Sequence, residues 1–187
     1  NNPPTSPILY TPTPGSYLNF TTLFFNWSES SDSDLDDLNY TITVTSDNHT
    51  ENHLTSDTNY TIAITGNNLY NWSVTVNDSK LTNRSAVANF TIDTINPAIT
   101  IIEPNLTDYN YTPIRLNWTT DETVSCFYNA SNGSESLTGS CSEWIDVPES
   151  TNNLTIELTD LAGNTIDSSV EFYVDSKAPD ITLTSFP

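Results

Sequence analysis

The residues of this chain whose type and spacing could support chemistry are asparagines, because many stand in the pattern Asn-x-Ser/Thr, which accepts an N-linked glycan. The 187 residues hold 15 such motifs with a middle residue other than proline. Ser and Thr together number 52, so the 23 asparagines would form only about 6 motifs by chance. We therefore predict dense glycosylation. The acceptors are Asn19, Asn26, Asn39, Asn48, Asn59, Asn71, Asn77, Asn83, Asn89, Asn105, Asn110, Asn117, Asn129, Asn132 and Asn153.

The middle residue of these motifs predicts where the acceptors lie, since in eight of them it is aromatic. Neighbouring side chains of a strand point to opposite faces, while residues i and i+2 share a face. An aromatic ring packed inward would therefore place the flanking Asn and hydroxyl residue in solvent. The alternative is that Asn and Thr serve only as neutral outer-face residues. The eight rings are Phe20, Trp27, Tyr40, Tyr60, Trp72, Phe90, Tyr111 and Trp118.

The densest group of carboxylates comprises Asp32, Asp34, Asp36 and Asp37. Oxygen ligands at such close spacing suit Ca²⁺, so these four residues form a candidate calcium site. A solvated acidic loop is the alternative reading of the same cluster. No other cofactor is expected.

Cys126 and Cys141 are the two cysteines of the chain. In a secreted β-protein, two cysteines form a bridge more often than a metal site. Closing a loop of this length with a disulfide would stabilise the folded state by roughly 3 kcal/mol in the chain-entropy model. We expect the disulfide to close a local hairpin rather than to span two sheets.

No set of residues points to catalysis. The two histidines, His49 and His53, stand in a segment without helical character and match no metalloprotease or triad motif. The five glycines form no phosphate-binding loop. The chain is therefore predicted not to be an enzyme.

Charge and hydropathy limit the classes of partner that this chain can bind. The chain has 24 acidic and 4 basic residues, a net charge of −20, which leaves no basic surface for nucleic acid or anionic lipid. No apolar run approaches the roughly 20 residues of a membrane helix, so we expect no membrane insertion. No positively charged, apolar leader opens the sequence, so we expect a mature or excised segment.

The elements that must position these groups occur twice. Phe90-Thr-Ile-Asp93 recurs as Phe172-Tyr-Val-Asp175 at an offset of 82, whereas Asn26-Trp-Ser28 recurs as Asn117-Trp-Thr119 at an offset of 91. The difference predicts extra residues in the first copy, which we place at residues 46–58. The predicted domains are 1–94 and 95–177, followed by a further segment, 178–187.

Each copy has the composition of short antiparallel strands. Alternating β-branched and aromatic residues predict strands that are separated by Asp-, Asn-, Gly- and Ser-rich turns. Asp160-Leu-Ala-Gly-Asn164 is a predicted hairpin turn with a positive φ at Gly163. Repeats of about 90 residues with a Trp in an early strand predict an all-β chain of two tandem immunoglobulin-like or fibronectin III-like sandwiches. In the first copy the predicted strands are Leu23–Trp27, Tyr40–Val44, Tyr60–Ile64, Tyr70–Val76 and Ala88–Ile92.

The repeat ends also resemble a known family. Thr159-Asp-Leu-Ala-Gly-Asn164, Phe172-Tyr-Val-Asp175 and Ala178-Pro-Asp-Ile181 resemble the end-and-restart signature of tandem immunoglobulin-like repeats in large prokaryotic surface proteins. The resemblance is weaker in the first copy, where Asp78-Ser-Lys80 replaces the turn. It implies a cell-surface or extracellular location and, together with the dense acceptors, an archaeal source. It implies no activity.

The segment 178–187 repeats the opening of each copy, and its candidate assembly residues are Pro179, Ile181, Leu183 and Phe186. It predicts either the first strand of a further repeat or a strand donated to another copy, since an unpaired strand leaves its edge groups exposed. We therefore expect a structural subunit or repeat of a glycosylated filament or surface layer, with copies of itself as partners. The alternatives are an adhesion module for carbohydrate or protein, with or without Ca²⁺, and an accessory domain of a secreted enzyme.

Overall fold

The structure is a computed structural model that describes residues 1–47, 49–105, 108–133, 136–141 and 144–182. Within these ranges the regular structure is entirely β, in eighteen strands. The chain divides into two compact units, Asn1–Ile95 and Asn96–Pro187. We call them unit 1 and unit 2.

Unit 1 is a sandwich of two sheets. Its strands are β1 (Leu9–Thr11), β2 (Ser16–Leu18), β3 (Thr22–Trp27), β4 (Asn39–Ser46), β5 (His49–Thr55), β6 (Asn59–Ala63), β7 (Asn68–Asn77), β8 (Thr82–Arg84) and β9 (Ala88–Ile92). One sheet has the order β1-β3-β6, and the other has the order β2-β9-β7-β4-β5, with β8 paired to β7. The short strand β2 runs parallel to β9, and the other pairs are antiparallel.

Period-two alternation forms the core of unit 1. Along β4 the residues Tyr40, Ile42 and Val44 are buried, while the intervening threonines are half-buried. Phe25 is fully buried and packs edge-on against Trp72 and Phe90, with ring centroids 5.0 and 5.8 Å apart. Because Phe25 belongs to one sheet and its two partners to the other, these rings join the two layers.

Unit 2 repeats this architecture. Its strands are β10 (Thr100–Glu103), β11 (Asp108–Tyr109), β12 (Ile114–Arg115), β13 (Asn117–Thr119), β14 (Val124–Ser131), β15 (Ser136–Ser140), β16 (Trp144–Ile145), β17 (Ser150–Asp160) and β18 (Thr165–Val174). One sheet has the order β11-β18-β17-β14-β15; facing strands pair as β10-β13 and β12-β16. Strands β12 and β13 flank Leu116 and correspond to the single strand β3 of unit 1.

The core of unit 2 is mainly aliphatic. Leu154, Ile156 and Leu158 of β17 are fully buried. They occupy the positions in unit 2 that are equivalent to Trp72, Val74 and Val76 in unit 1. Alternate residues of the same strand remain exposed or half-buried. The same pattern therefore specifies both cores, with smaller side chains in the second.

The shared strand order confirms the predicted fold class. In each unit the opening strand pairs with the early Trp-bearing strand, and a short second segment runs parallel to the last strand. The two sheets, β1-β3-β6 and β2-β9-β7-β4-β5 in unit 1 with their counterparts in unit 2, have the layout of immunoglobulin-like sandwiches. All five strands predicted for the first copy are present, and every predicted end lies within two residues of the observed end.

The placement of the extra residues of unit 1 differs from the prediction. Tyr40 lies opposite Val76, and Cys126 lies opposite Leu158, so these two positions are equivalent at an offset of 86. The offset thus falls from 91 to 86 across the acidic loop and reaches 82 only afterwards. About half of the insertion lies in the loop between Trp27 and Tyr40, because strand register, not sequence similarity, fixes the equivalence.

Candidate glycan-acceptor sites

Most acceptor asparagines lie on strands. Strands β3, β4, β6, β8 and β9 each hold one, β7 holds two, and β13, β14 and β17 hold one each. Ten of the fourteen described acceptors are exposed and four are half-buried, so none is in a core. Asn48 lies outside the described residues. The half-buried acceptors are Asn26, Asn83, Asn117 and Asn132.

The aromatic middle residues lie inward in six motifs. Four rings are buried and two are half-buried, which leaves their flanking asparagines on the outer face. Phe20 and Tyr111, at equivalent positions in the two units, are 52 % and 49 % exposed. For these two motifs the expected inward ring is wrong, because the residues lie outside the strands, where alternation does not apply. The buried rings are Trp27, Tyr40, Trp72 and Phe90, and the half-buried ones are Tyr60 and Trp118.

The polar atoms of several acceptors have partners in the protein. The side-chain oxygen of Asn77 accepts a hydrogen bond from the Ser79 amide at 2.7 Å, and that of Asn89 accepts one from Gly15 at 2.9 Å. In both, the oxygen is engaged, and a glycan would attach to the nitrogen. The Ser73 hydroxyl of the Asn71 motif is buried and accepts hydrogen bonds from the Arg84 guanidinium at 3.0 and 2.7 Å.

The structure contains a disulfide between Cys126 and Cys141, with the Cα atoms 5.4 Å apart. Cys126 lies on β14, and Cys141 directly follows β15, its hairpin partner. The Cys141 amide also donates a hydrogen bond to the Cys126 carbonyl at 3.4 Å. The bond therefore links adjacent strands of one sheet and does not join the two layers.

The candidate calcium ligands do not converge. No three of the carboxylates at 32, 34, 36 and 37 have oxygen atoms within 4.8 Å of one another. Asp36 forms an ion pair with Lys80 at 2.9 Å, and Asp34 accepts a hydrogen bond from the Asn2 amide at 2.6 Å. Of the two alternatives, the geometry favours a solvated acidic loop with carboxylates paired within the protein. The effect of Ca²⁺ on the melting temperature of unit 1 is the measurement that tests the calcium alternative.

Two equivalent carboxylates organise the turns that follow the long strands β7 of unit 1 and β17 of unit 2. Asp78 is 2 % exposed and accepts hydrogen bonds from the Leu81 and Lys80 amides at 2.5 and 2.8 Å. The Leu81 bond, then the Lys80 bond and the Asn1 side chain, hold the pKa of Asp78 below its ordinary value, against the opposing effect of burial.

Asp160 has the same role in unit 2. Burial raises its pKa, but the Asn164 side chain and amide, with the Gly163 and Ala162 amides, outweigh burial and leave the pKa lowered. The Asn164 contacts measure 2.7 and 2.9 Å, and Gly163 has the predicted positive φ, 89°. At the repeat offset of 82, Asp78 and Asp160 occupy equivalent positions in the sequence, but only the structure shows that both organise a turn.

The candidate assembly segment is partly described. Pro179 and Ile181 are exposed, Ile181 by 84 %, and residues 178–182 form no strand. Their counterparts at an offset of 82, Pro97 and Ile99, are buried and half-buried, and Ile99 packs against the unit 2 core. Leu183 and Phe186 lie outside the described residues.

In the described part of the chain, no helix is long and apolar enough to cross a membrane. No family model matches the chain, and no curated protein matches it.

Similar solved structures include the FN1–FN3 domains of chicken CNTN1, at 14 % identity and a TM-score of 0.40 over 89 % of this chain and 65 % of that one. Another is the three N-terminal domains of the bacteriophage RB49 Highly Immunogenic Outer Capsid protein, at 14 % identity and a TM-score of 0.41 over 90 % of this chain and 59 % of that one. A third is the C-terminal 282-residue fragment of intimin, in complex with the intimin-binding domain of its translocated receptor, at 13 % identity and a TM-score of 0.47 over 89 % of this chain and 64 % of that one. The chain spans less than two thirds of each, and the likeness concerns the fold alone.

Proposed function

We propose that this chain is a non-catalytic structural module of a heavily N-glycosylated extracellular filament or surface layer. The observation that carries the proposal is the placement of the acceptors: all fourteen described acceptor asparagines lie outside the two cores. They are spread over strands of both sheets of unit 1 and over unit 2. Acceptors distributed in this way suit a coat around a module, whereas a single binding site would leave a patch free of them.

An extracellular location is supported by the disulfide, since such bonds persist in oxidising compartments. A coat of hydrated glycans, added to a net charge of −20, would keep such a surface soluble and shield its strand edges from proteases and from other chains.

The assembly part of the proposal concerns residues 178–187. A segment with the pattern of a sandwich-opening strand has Ile181 in solvent, where the equivalent Ile99 is packed. We infer that another sandwich covers it, either a following repeat or a second copy. In both units the opening strand position is filled by the unit's own β1 or β10, so a donated strand would have to displace one of them.

Mass spectrometry of the protein from its native cells tests the glycan part: masses well above that of the 20.7 kDa polypeptide, lost on enzymatic or chemical deglycosylation, are expected. An unmodified mass would refute it. Electron microscopy of the native assembly, compared with a variant lacking residues 178–187, tests the assembly part. Filaments or layers that persist unchanged after the deletion would refute the role of this segment.

A further inference from the structure

Six acceptor asparagines of unit 1 form three pairs across its strands. Asn26 of β3 lies directly opposite Asn59 of β6. In the other sheet, Asn39 lies opposite Asn77, between β4 and β7. Asn71 lies opposite Asn89, between β7 and β9. The members of a pair are 18 to 38 residues apart in the chain, so sequence proximity does not account for the pairing.

Both side chains of each pair leave the sheet on the same face. Directly opposing residues of antiparallel strands have Cβ atoms about 4.5–5.5 Å apart and point to the same side. That side is solvent in all three pairs, because five of the six asparagines are exposed and Asn26 is half-buried. The residues that follow or precede them in the strands, such as Trp27, Tyr40 and Trp72, occupy the core.

Glycosylation joins the side-chain nitrogen to the anomeric carbon of a sugar. The bond between that carbon and the phosphate of a lipid-linked donor breaks, the phosphorylated lipid leaves, and the amide gives up one proton to a base. The product is a hydrated chain of rings that begins at the asparagine. Two such chains that start on asparagines with Cβ atoms only about 5 Å apart compete for the same volume of solvent beside the sheet. A first glycan also covers the opposing nitrogen.

We propose that each of these pairs, Asn26/Asn59, Asn39/Asn77 and Asn71/Asn89, carries one glycan at a time in the folded protein. The inference rests on the proposed function, since it assumes that the acceptors are used. The surface of unit 1 then offers alternative glycan positions. Because strand register places the acceptors in exclusive pairs, the number of glycans on unit 1 is lower than its number of acceptor motifs.

Unit 2 provides an internal comparison. Its strand acceptors face other residue types: Asn117 lies opposite Glu103, Asn129 opposite Thr138 and Thr155, and Asn153 opposite Ser131 and Glu171. Within the described registers of unit 2, no acceptor faces another. We therefore expect each of these acceptors to be occupied independently of the others.

The test is the site-resolved glycan occupancy of the full chain, measured on glycopeptides from native cells. For each pair the two fractional occupancies are expected to sum to no more than 1. A sum above 1 requires molecules with both sites filled and would overturn the inference, although it would support the proposed function. A chain without glycans at any motif would instead refute both.

A variant distinguishes exclusion from low overall transfer. In Asn59→Gln, which keeps an amide on an exposed position, Asn26 is expected to gain the occupancy that Asn59 has lost, a rise of up to twofold if the two share the pair equally. Asn117→Gln in unit 2 is the matched control and should leave Asn129 and Asn153 unchanged. An unchanged occupancy at Asn26 in Asn59→Gln would overturn the inference.

Discussion

The side-chain nitrogen of Asn83 donates a hydrogen bond to the carbonyl oxygen of Pro4, 3.1 Å away, although Asn83 begins an acceptor motif. Its side-chain oxygen accepts one from the Arg84 amide at 2.8 Å. Because the Pro4 carbonyl can only accept a hydrogen bond and the Arg84 N–H can only donate one, the orientation of the Asn83 side-chain amide is fixed. The Ser85 hydroxyl of the motif is buried and donates to the Ala86 carbonyl. Both groups that the modification needs are therefore engaged in folded unit 1.

We predict that Asn83 carries no glycan in the folded protein. A glycan there would replace the Pro4 hydrogen bond and displace the N-terminal segment from β8. Glycopeptide mass spectrometry should show occupancy near zero at Asn83. Asn89, whose oxygen rather than nitrogen is bound to Gly15, is the control, with occupancy shared with Asn71. Substantial occupancy at Asn83 would contradict the prediction.

The aromatic junction of unit 1 should dominate its stability. Phe25→Ala removes a fully buried ring between two sheets, and losses of about 3–5 kcal/mol are typical of such changes. The neighbouring Phe24 is 50 % exposed on the other face of the same strand, so Phe24→Ala should lose about 1 kcal/mol or less. Denaturant unfolding, followed by tryptophan fluorescence, compares the two variants. Equal losses would show that the face assignment of β3 is wrong.

The disulfide should stabilise unit 2 alone. Replacing Cys126 and Cys141 with serine opens a 15-residue loop, which the chain-entropy model values at about 3 kcal/mol. Unit 1 contains no cysteine and serves as the control within the same molecule. Calorimetry of the two forms should show one transition lowered and the other unchanged. A shift in both transitions, or in neither, would contradict this assignment.

Asp78 and Asp160 should make stability fall at low pH. Their folded-state pKa values are lowered, so each contributes stability that is fully present above the unfolded pKa of about 3.9. That contribution is lost as the pH falls through the folded pKa. Asp78→Asn with Asp160→Asn should lower the melting temperature at neutral pH and flatten its decline below about pH 4. The same decline in the double variant as in the parent chain would show that other groups cause it.

Calcium should not stabilise unit 1 through its acidic loop. Asp36 is already paired with Lys80, and the four carboxylates do not surround a common point. We expect the same melting temperature of unit 1 with added Ca²⁺ as with a chelator. Asp36→Asn provides a check, since it removes one candidate ligand and one ion pair, and an exposed pair contributes at most about 1 kcal/mol. A clear rise in melting temperature with Ca²⁺, absent in Asp36→Asn, would restore the calcium site.

Alternation along single strands made much of the fold predictable. The rings of Trp27, Tyr40, Trp72 and Phe90 are buried, as expected from their places in alternating runs. Phe20 and Tyr111 have the same motif but lie in connecting segments, where period two has no meaning, and both are exposed. The strand β5 was also missed by the prediction. Its residues are mostly polar and show little hydrophobic alternation, because β5 lies at the edge of its sheet.

The sequence by itself determined the class of fold, the repeat and the outward placement of most acceptors, because these depend on the local alternation of side chains. Only the tertiary structure decided that Asn26 faces Asn59 and that Asn83 is bound to Pro4. Register between strands depends on loop lengths, bulges and packing of both sheets, and a shift of one residue would move every side chain to the other face. The sequence therefore identifies the acceptor asparagines, whereas the folded sandwich determines which residues lie next to them in space.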